Sequence, residues 1–121
     1  MAIFNMTNGT DLFTGTAADD DFIFTAANQA NAADVISGGP GFDRLLINAN
    51  VTVNFSAMTA TPSLADFEAL VFGGGGAGNA GATFAASQLT GAVFAVSVNP
   101  LNTGTQTITR SEEHTSELQS Q

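Results

Sequence analysis

The sequence predicts an all-β fold, a right-handed parallel β-solenoid with short, irregular rungs after residue 46. Two observations carry this reading. An Asp-x-apolar unit recurs at Asp11/Phe13, Asp20/Phe22, Asp34/Ile36 and Asp43/Leu45, with Asp spacings of 9, 14 and 9 residues. Self-similarity at a fixed short period is how stacked repeats announce themselves in a sequence. Short runs of Val, Ile, Leu and Phe alternate with Gly-, Asn- and Thr-rich turns along the whole chain, the pattern of many short strands.

Composition bounds the function before any motif does. The chain has 121 residues, enough for one small domain, with eleven acids, two arginines and no lysine. A chain so acidic cannot neutralise phosphates, which excludes a nucleic-acid partner. The absence of cysteine excludes disulfides and thiolate metal sites. No apolar run approaches the ~20 residues of a membrane-spanning helix, and Met1 to Asp11 lacks the basic and apolar segments of a cleaved export signal.

The last stretch breaks with this composition. Residues 110–120 hold three of the four glutamates, the histidine and one of the two arginines. They resemble the translated read-through of a sequencing-library adapter, so 110–121 is expected to be a non-native, disordered tail. Residues 1–109 contain no His, Cys, Lys, Tyr or Trp and a single base, Arg44. General-base, nucleophile-activation and Schiff-base chemistry therefore have almost no groups to use, and no enzyme is expected here.

Taken in order, the first 46 residues hold the repeats. Gly9 precedes Asp11 and Gly15 opens the second unit, whereas Gln29 to Ser37 has no glycine. The 14-residue step places a five-residue insertion around Phe24 to Asn28, expected to bulge outward. The best-formed unit is Gly38-Gly39-Pro40-Gly41-Phe42-Asp43-Arg44-Leu45-Leu46. It fits G-G-x-G-x-D-x-(large apolar)-x, in which glycines turn the backbone tightly, the Asp adds a charged oxygen, and the apolar residue starts a strand.

Residues 6–46 thus resemble the haemolysin-type calcium-binding repeats of the RTX family, with one strong copy and three degenerate ones. The resemblance implies a parallel β-roll in which two nonapeptides form one turn and calcium lies between stacked loops. The loop before Asp20 would stack on the loop before Asp43, and the loop before Asp11 on that before Asp34. Asp43, Gly39, Gly41, Asp20, Asp34 and Asp11 are then the candidate calcium-site residues, with Asp19 and Asp21 facing solvent. Export by a type I secretion system to the extracellular space or cell surface is a further implication.

Residues 47–109 are expected to continue the stack without metal. Leu45-Leu46-Ile47, Val51 to Phe55, Ala69 to Phe72, Ala82 to Phe84, Ala92 to Val98 and Thr105 to Thr109 read as strands. Pro62 to Asp66 reads as a capped helical turn. Phe13, Phe22, Ile36, Leu45, Val53, Leu70, Phe84 and Val96 are the expected core. Gly73 to Gly78 formally matches G-x-G-x-x-G, but no acid follows it before the tail to hold a ribose, so a turn between rungs is expected. Sequons at Asn5, Asn8, Asn50 and Asn54 are cheap in so Asn- and Thr-rich a chain and carry no weight.

The sequence therefore points to calcium binding that stabilises a secreted solenoid without catalysis. Two alternatives stay open: a structural or adhesive surface solenoid in which calcium is incidental, and a non-catalytic part of a secreted hydrolase.

Overall fold

A computed structural model describes residues 2–59, 63–89 and 95–111. The strands are β1 (Ile3–Asn5), β2 (Leu12–Thr14), β3 (Asp21–Phe24), β4 (Val35–Ser37), β5 (Arg44–Ile47) and β6 (Thr52–Asn54). They continue with β7 (Leu64–Ala65), β8 (Ala69–Phe72), β9 (Ala80–Ala85), β10 (Ala95–Val98) and β11 (Gln106–Ser111). One short helix, α1 (Ala86–Leu89), and 3-10 turns at Ala27–Gln29 and Phe55–Ala57 complete the described elements.

Every strand pairing is parallel, in three sheets with the orders β1-β3-β5-β8-β10, β2-β4-β7 and β11-β9-β6. Consecutive members of each sheet lie a full circuit apart in sequence, which makes the chain a parallel β-solenoid of about four turns. The five-stranded sheet forms one wall throughout. The wall facing it changes along the stack, from β2 and β4 in the first rungs to β9 and β11 in the last.

Register explains the core. In the long sheet Phe4, Phe22, Leu45, Leu70 and Val96 share one column, and Phe24, Ile47, Phe72 and Val98 share another. Alternate residues of a strand point to opposite faces, so these columns face inward together. Phe22, Phe24, Leu45, Ile47, Leu70 and Phe72 are all buried, as are Ile36, Val53, Phe55 and Phe84. Aromatic rings link successive rungs: Phe4 stacks on Phe22 with centroids 4.6 Å apart, and Phe55 on Phe84 at 4.9 Å. Six of the eight expected core residues are fully buried. Phe13 is half-buried and Val96 is 49% exposed; among the described residues each lies on the outermost strand of its sheet, with a paired strand on one side alone.

Three expectations are corrected. Pro62 to Asp66 was expected to form a helical turn; Leu64 and Ala65 instead form β7 against β4, and Asp66 takes a left-handed φ of 61°, while Pro62 lies outside the described residues. Phe24, expected to open an outward bulge running to Asn28, is instead buried in β3, while Thr25, Ala27 and Asn28 are exposed on the turn that holds the 3-10 segment. Arg110 and Ser111, assigned to a disordered tail, extend β11 beside Phe84 and Ala85 of β9; residues 112–121 of that tail lie outside the described residues.

Candidate functional site

The repeated aspartates sit where the chain turns into a strand, and Asp11, Asp20 and Asp34 each close their own turn. Thr7 donates its N–H to Asp11 Oδ2 at 3.0 Å and its hydroxyl to Asp11 Oδ1 at 2.7 Å. Nine residues on, Thr16 repeats this toward Asp20, with its N–H 2.6 Å from Oδ2 and its hydroxyl 2.8 Å from Oδ1. A third copy follows at Thr25, whose N–H donates to Gln29 Oε1 at 2.7 Å. Asn31 N–H then donates to Asp34 Oδ2 at 2.8 Å. Side-chain oxygens that accept from nearby backbone amides are a standard way to hold a tight turn.

The same side chains also clamp neighbouring rungs. Ala2 N–H donates to Asp20 Oδ1 at 2.8 Å, Asp20 N–H to Asp43 Oδ1 at 2.8 Å, and Asp43 N–H to Glu68 Oε1 at 2.7 Å. A parallel ladder joins Asp11 N–H to Asp34 Oδ1 at 2.7 Å. The physical demand is plain. An amide at the corner is buried beside the core but precedes the strand, so no carbonyl of the next rung reaches it, and a buried N–H without a partner is costly. A carboxylate from the next rung supplies a charge-assisted bond instead. Asp11, Asp20, Asp34 and Asp43 are accordingly buried, with at most 3% of their surface exposed.

Glycine lets these corners come together. A Cβ on Gly15 would lie 2.2 Å from Gly38 O and 2.6 Å from Asp20 Oδ2; one on Gly38 would lie 2.3 Å from Asp66 O and 2.7 Å from Asp43 Oδ2. Gly41 adopts φ +98°, where a Cβ would lie 2.7 Å from Ala18 O, and Gly39 adopts φ +75°, where one would lie 3.3 Å from Thr16 O. The loop before Asp43 therefore lies directly on the loop before Asp20, with backbone against backbone.

Charge is handled unevenly. Asp21 is buried and takes a bidentate bond from Arg44 across the β3–β5 pair, with Nε to Oδ1 and Nη2 to Oδ2 both at 2.7 Å. It does not face solvent, contrary to expectation, and the pairing raises the Arg44 pKa. Asp19 is exposed and accepts the Phe42 N–H at 2.8 Å. Burial pushes the Asp20 carboxyl up, but its bonds from Ala2 and Thr16 outweigh that and leave its pKa lowered. Asp43 goes the other way, to about 6: burial raises it, the charges of Asp20 and Glu68 add to the rise, and the Asp20 N–H opposes it. One of its oxygens, Oδ2, is buried with no hydrogen-bond partner.

The fit to calcium follows from these bonds. Calcium takes about six to eight oxygen ligands. Both carboxylate oxygens of Asp11, Asp20 and Asp34 already accept from the protein's own donors, so these three residues are turn and rung clamps first. Asp43 Oδ2 is the carboxylate oxygen of this set left over. Among the described residues no group of three or more His, Cys, Asp or Glu side chains could hold a metal ion. A cation here would depend on Asp43 and on loop carbonyls.

No family model, curated protein or solved structure matches this chain.

The structure brings Asp20 to Asp43 and Asp11 to Asp34, as the repeat register implied. Gly39 and Gly41 lie in the same corner as Asp20 and Asp43. Reading Asp positions alone misses Glu68, which takes the third place in the Asp20–Asp43 ladder, and Gln29, which takes an Asp's place at the third turn. The missing signal was available: Phe4, Phe13 and Phe22 and then Thr7, Thr16 and Thr25 each recur every nine residues, with the acceptor four places after each Thr.

Proposed function

We propose that this chain is a non-catalytic structural module, a solenoid whose corners are clamped by its own side-chain acceptors. The observation that supports this reading is the unbroken ladder from Ala2 through Asp20 and Asp43 to Glu68, closed entirely by protein atoms. A scaffold of this kind needs no ion to hold its rungs together. The experiment is circular dichroism and thermal unfolding of the full chain in chelator and in millimolar calcium. A β spectrum and cooperative melt in chelator are the expected result. A chain that is unfolded in chelator and folds on adding calcium would overturn the reading.

A second reading has one specific observation in its favour, the buried and unpartnered Asp43 Oδ2. Calcium bound beside it, with carbonyls of the stacked loops, would neutralise a carboxylate that its neighbours now destabilise, and would add stability by mass action. Extracellular modules bind calcium with dissociation constants of ~0.1–1 mM, so this reading carries with it the extracellular location and type I export that the RTX resemblance implies. It predicts a saturable rise in melting temperature that Asp43→Asn abolishes and Asp66→Asn leaves intact. No calcium-dependent shift in the parent chain would sink it.

A further inference from the structure

The geometry points to Asn8 as a site of spontaneous covalent modification, at which the Gly9 amide nitrogen attacks the Asn8 side chain. Asn8-Gly9 is the single Asn-Gly pair in the sequence, and each other asparagine precedes a residue that carries a side chain. Both residues are exposed, on the loop between β1 and β2. Loops of this sort keep the mobility that the reaction needs. Asparagine belongs to the residues that limit protein lifetime at high temperature.

The local bonding fits the chemistry. Gly9 N–H is not part of a ladder between rungs; it donates to Thr7 Oγ1 at 3.2 Å on the exposed side of the turn. With no Cβ, Gly9 offers its nitrogen with the least hindrance and lets the backbone bend toward the Asn8 side chain. The Asn8 and Gly9 carbonyls are both held by Asn31 Nδ2 at 3.0 Å. This tether comes from the next rung and fixes the carbonyl side of the loop, leaving the Asn8 carboxamide outside it.

The reaction balances with water as the one co-reactant. The Gly9 nitrogen forms a bond to Asn8 Cγ, the Cγ–Nδ2 bond breaks, and ammonia leaves with the amide proton. Water then opens the five-membered imide at either carbonyl, giving aspartate or its β-linked isomer. Either product puts a new carboxylate three residues before Asp11, and the isomer also lengthens the Thr7–Asp11 turn by one backbone atom. Both Thr7 bonds to Asp11 depend on that turn.

The control is set by the structure. A Cβ at Gly9 would meet nothing closer than Thr7 Oγ1 at 3.8 Å, and its φ is not in the left-handed region. Gly9→Ala therefore keeps the fold, which a matching circular dichroism spectrum verifies. The full chain and Gly9→Ala are incubated in mildly alkaline buffer and followed by intact mass and peptide mapping. The expected result is a time-dependent amide-to-acid mass gain at Asn8, split between two chromatographic isomers, and at least several-fold slower in Gly9→Ala. No gain at Asn8, a gain spread evenly over the asparagines, or an equal rate in Gly9→Ala would overturn the assignment.

Discussion

Asp34→Ala separates a clamp from a metal ligand, because Asp34 has no oxygen to spare. In the intact chain its Oδ1 accepts the buried Asp11 N–H at 2.7 Å and its Oδ2 accepts the Asn31 N–H at 2.8 Å. Alanine removes both acceptors at once, at a residue that is 1% exposed. Each orphaned buried donor costs about 1–3 kcal/mol, so the pair comes to roughly 4 kcal/mol. At about 4–8 °C per kcal/mol for a domain of this size, the melting temperature should fall by about 20 °C. Such a loss is a large part of the ~5–15 kcal/mol that holds a typical domain together. Thermal denaturation followed by circular dichroism, run in chelator and again in millimolar calcium, supplies the assay. The clamp predicts the same loss in both buffers. A loss confined to the calcium buffer would show that Asp34 acts through an ion, and a shift of only a degree or two in chelator would refute the bonding described here.

Asp43 gives a pH prediction of opposite sign to the usual carboxylate. Its folded pKa, about 6, lies above the ordinary carboxylate value of 3.8, so the native state holds the extra proton between those values. Its stabilising contribution is complete below 3.8 and is lost as pH rises through about 6. The difference in melting temperature between the parent and Asp43→Asn should therefore shift in the parent's favour as pH falls from 7 toward 4, and no trend would count against the buried, unpartnered oxygen. Asp20, with a lowered pKa, works the other way, contributing above the ordinary carboxylate range and losing that contribution as pH falls below it. Among the left-handed glycines, Gly41→Ala and Gly76→Ala share the cost of a positive φ, about 1–2 kcal/mol. A Cβ at Gly41 would also lie 2.7 Å from Ala18 O, whereas one at Gly76 meets nothing within 4 Å; chemical denaturation should find Gly41→Ala worse by about 1–3 kcal/mol, and equal losses would mean that the two loops are not in contact.

The walls of the solenoid were legible because their signal is local. Leu45 and Leu70 pair in register, and each follows directly from the alternation within its own short strand. The corners were harder. Asp20 and Asp43 were found by their spacing, but their bonds are made with amides of another rung, which no local pattern displays. Glu68 escaped notice because it lies 25 rather than 23 residues beyond its partner and reaches with one more methylene. Gln29 escaped because the turn needs only an oxygen acceptor, and a carboxamide serves as well as a carboxylate. Asp21 looked like a solvent-facing member of an acid cluster; its Arg44 partner sits 23 residues away, opposite it in the sheet.

The acids stop where the clamps change chemistry. Between residues 69 and 111 there is no Asp or Glu, yet the rungs there still need corner acceptors. Gln88 Oε1 takes the Ala85 N–H at 2.8 Å and Gln106 Oε1 takes the Ala80 N–H at 3.0 Å. These corners also expose carbonyls that a carboxylate could only repel. Gln88 Nε2 donates to Phe55 O at 2.7 Å, Asn99 Nδ2 to Gly73 O at 3.0 Å, and Asn102 Nδ2 to Gly74 O at 3.0 Å. A carboxamide both donates and accepts, so it can satisfy such a corner alone. Gly74 and Gly78 have no side chain because a Cβ on either would come within 2.4 Å of the Asn50 carboxamide. The solenoid is thus one architecture with two kinds of clamp. The charged kind runs from Ala2 to Glu68 and brings with it the unpartnered oxygen of Asp43; the neutral kind carries no titrating group. Sensitivity to acid and to cations should therefore reside in the first rungs, and the later rungs should hold the same hydrogen bonds across the whole range.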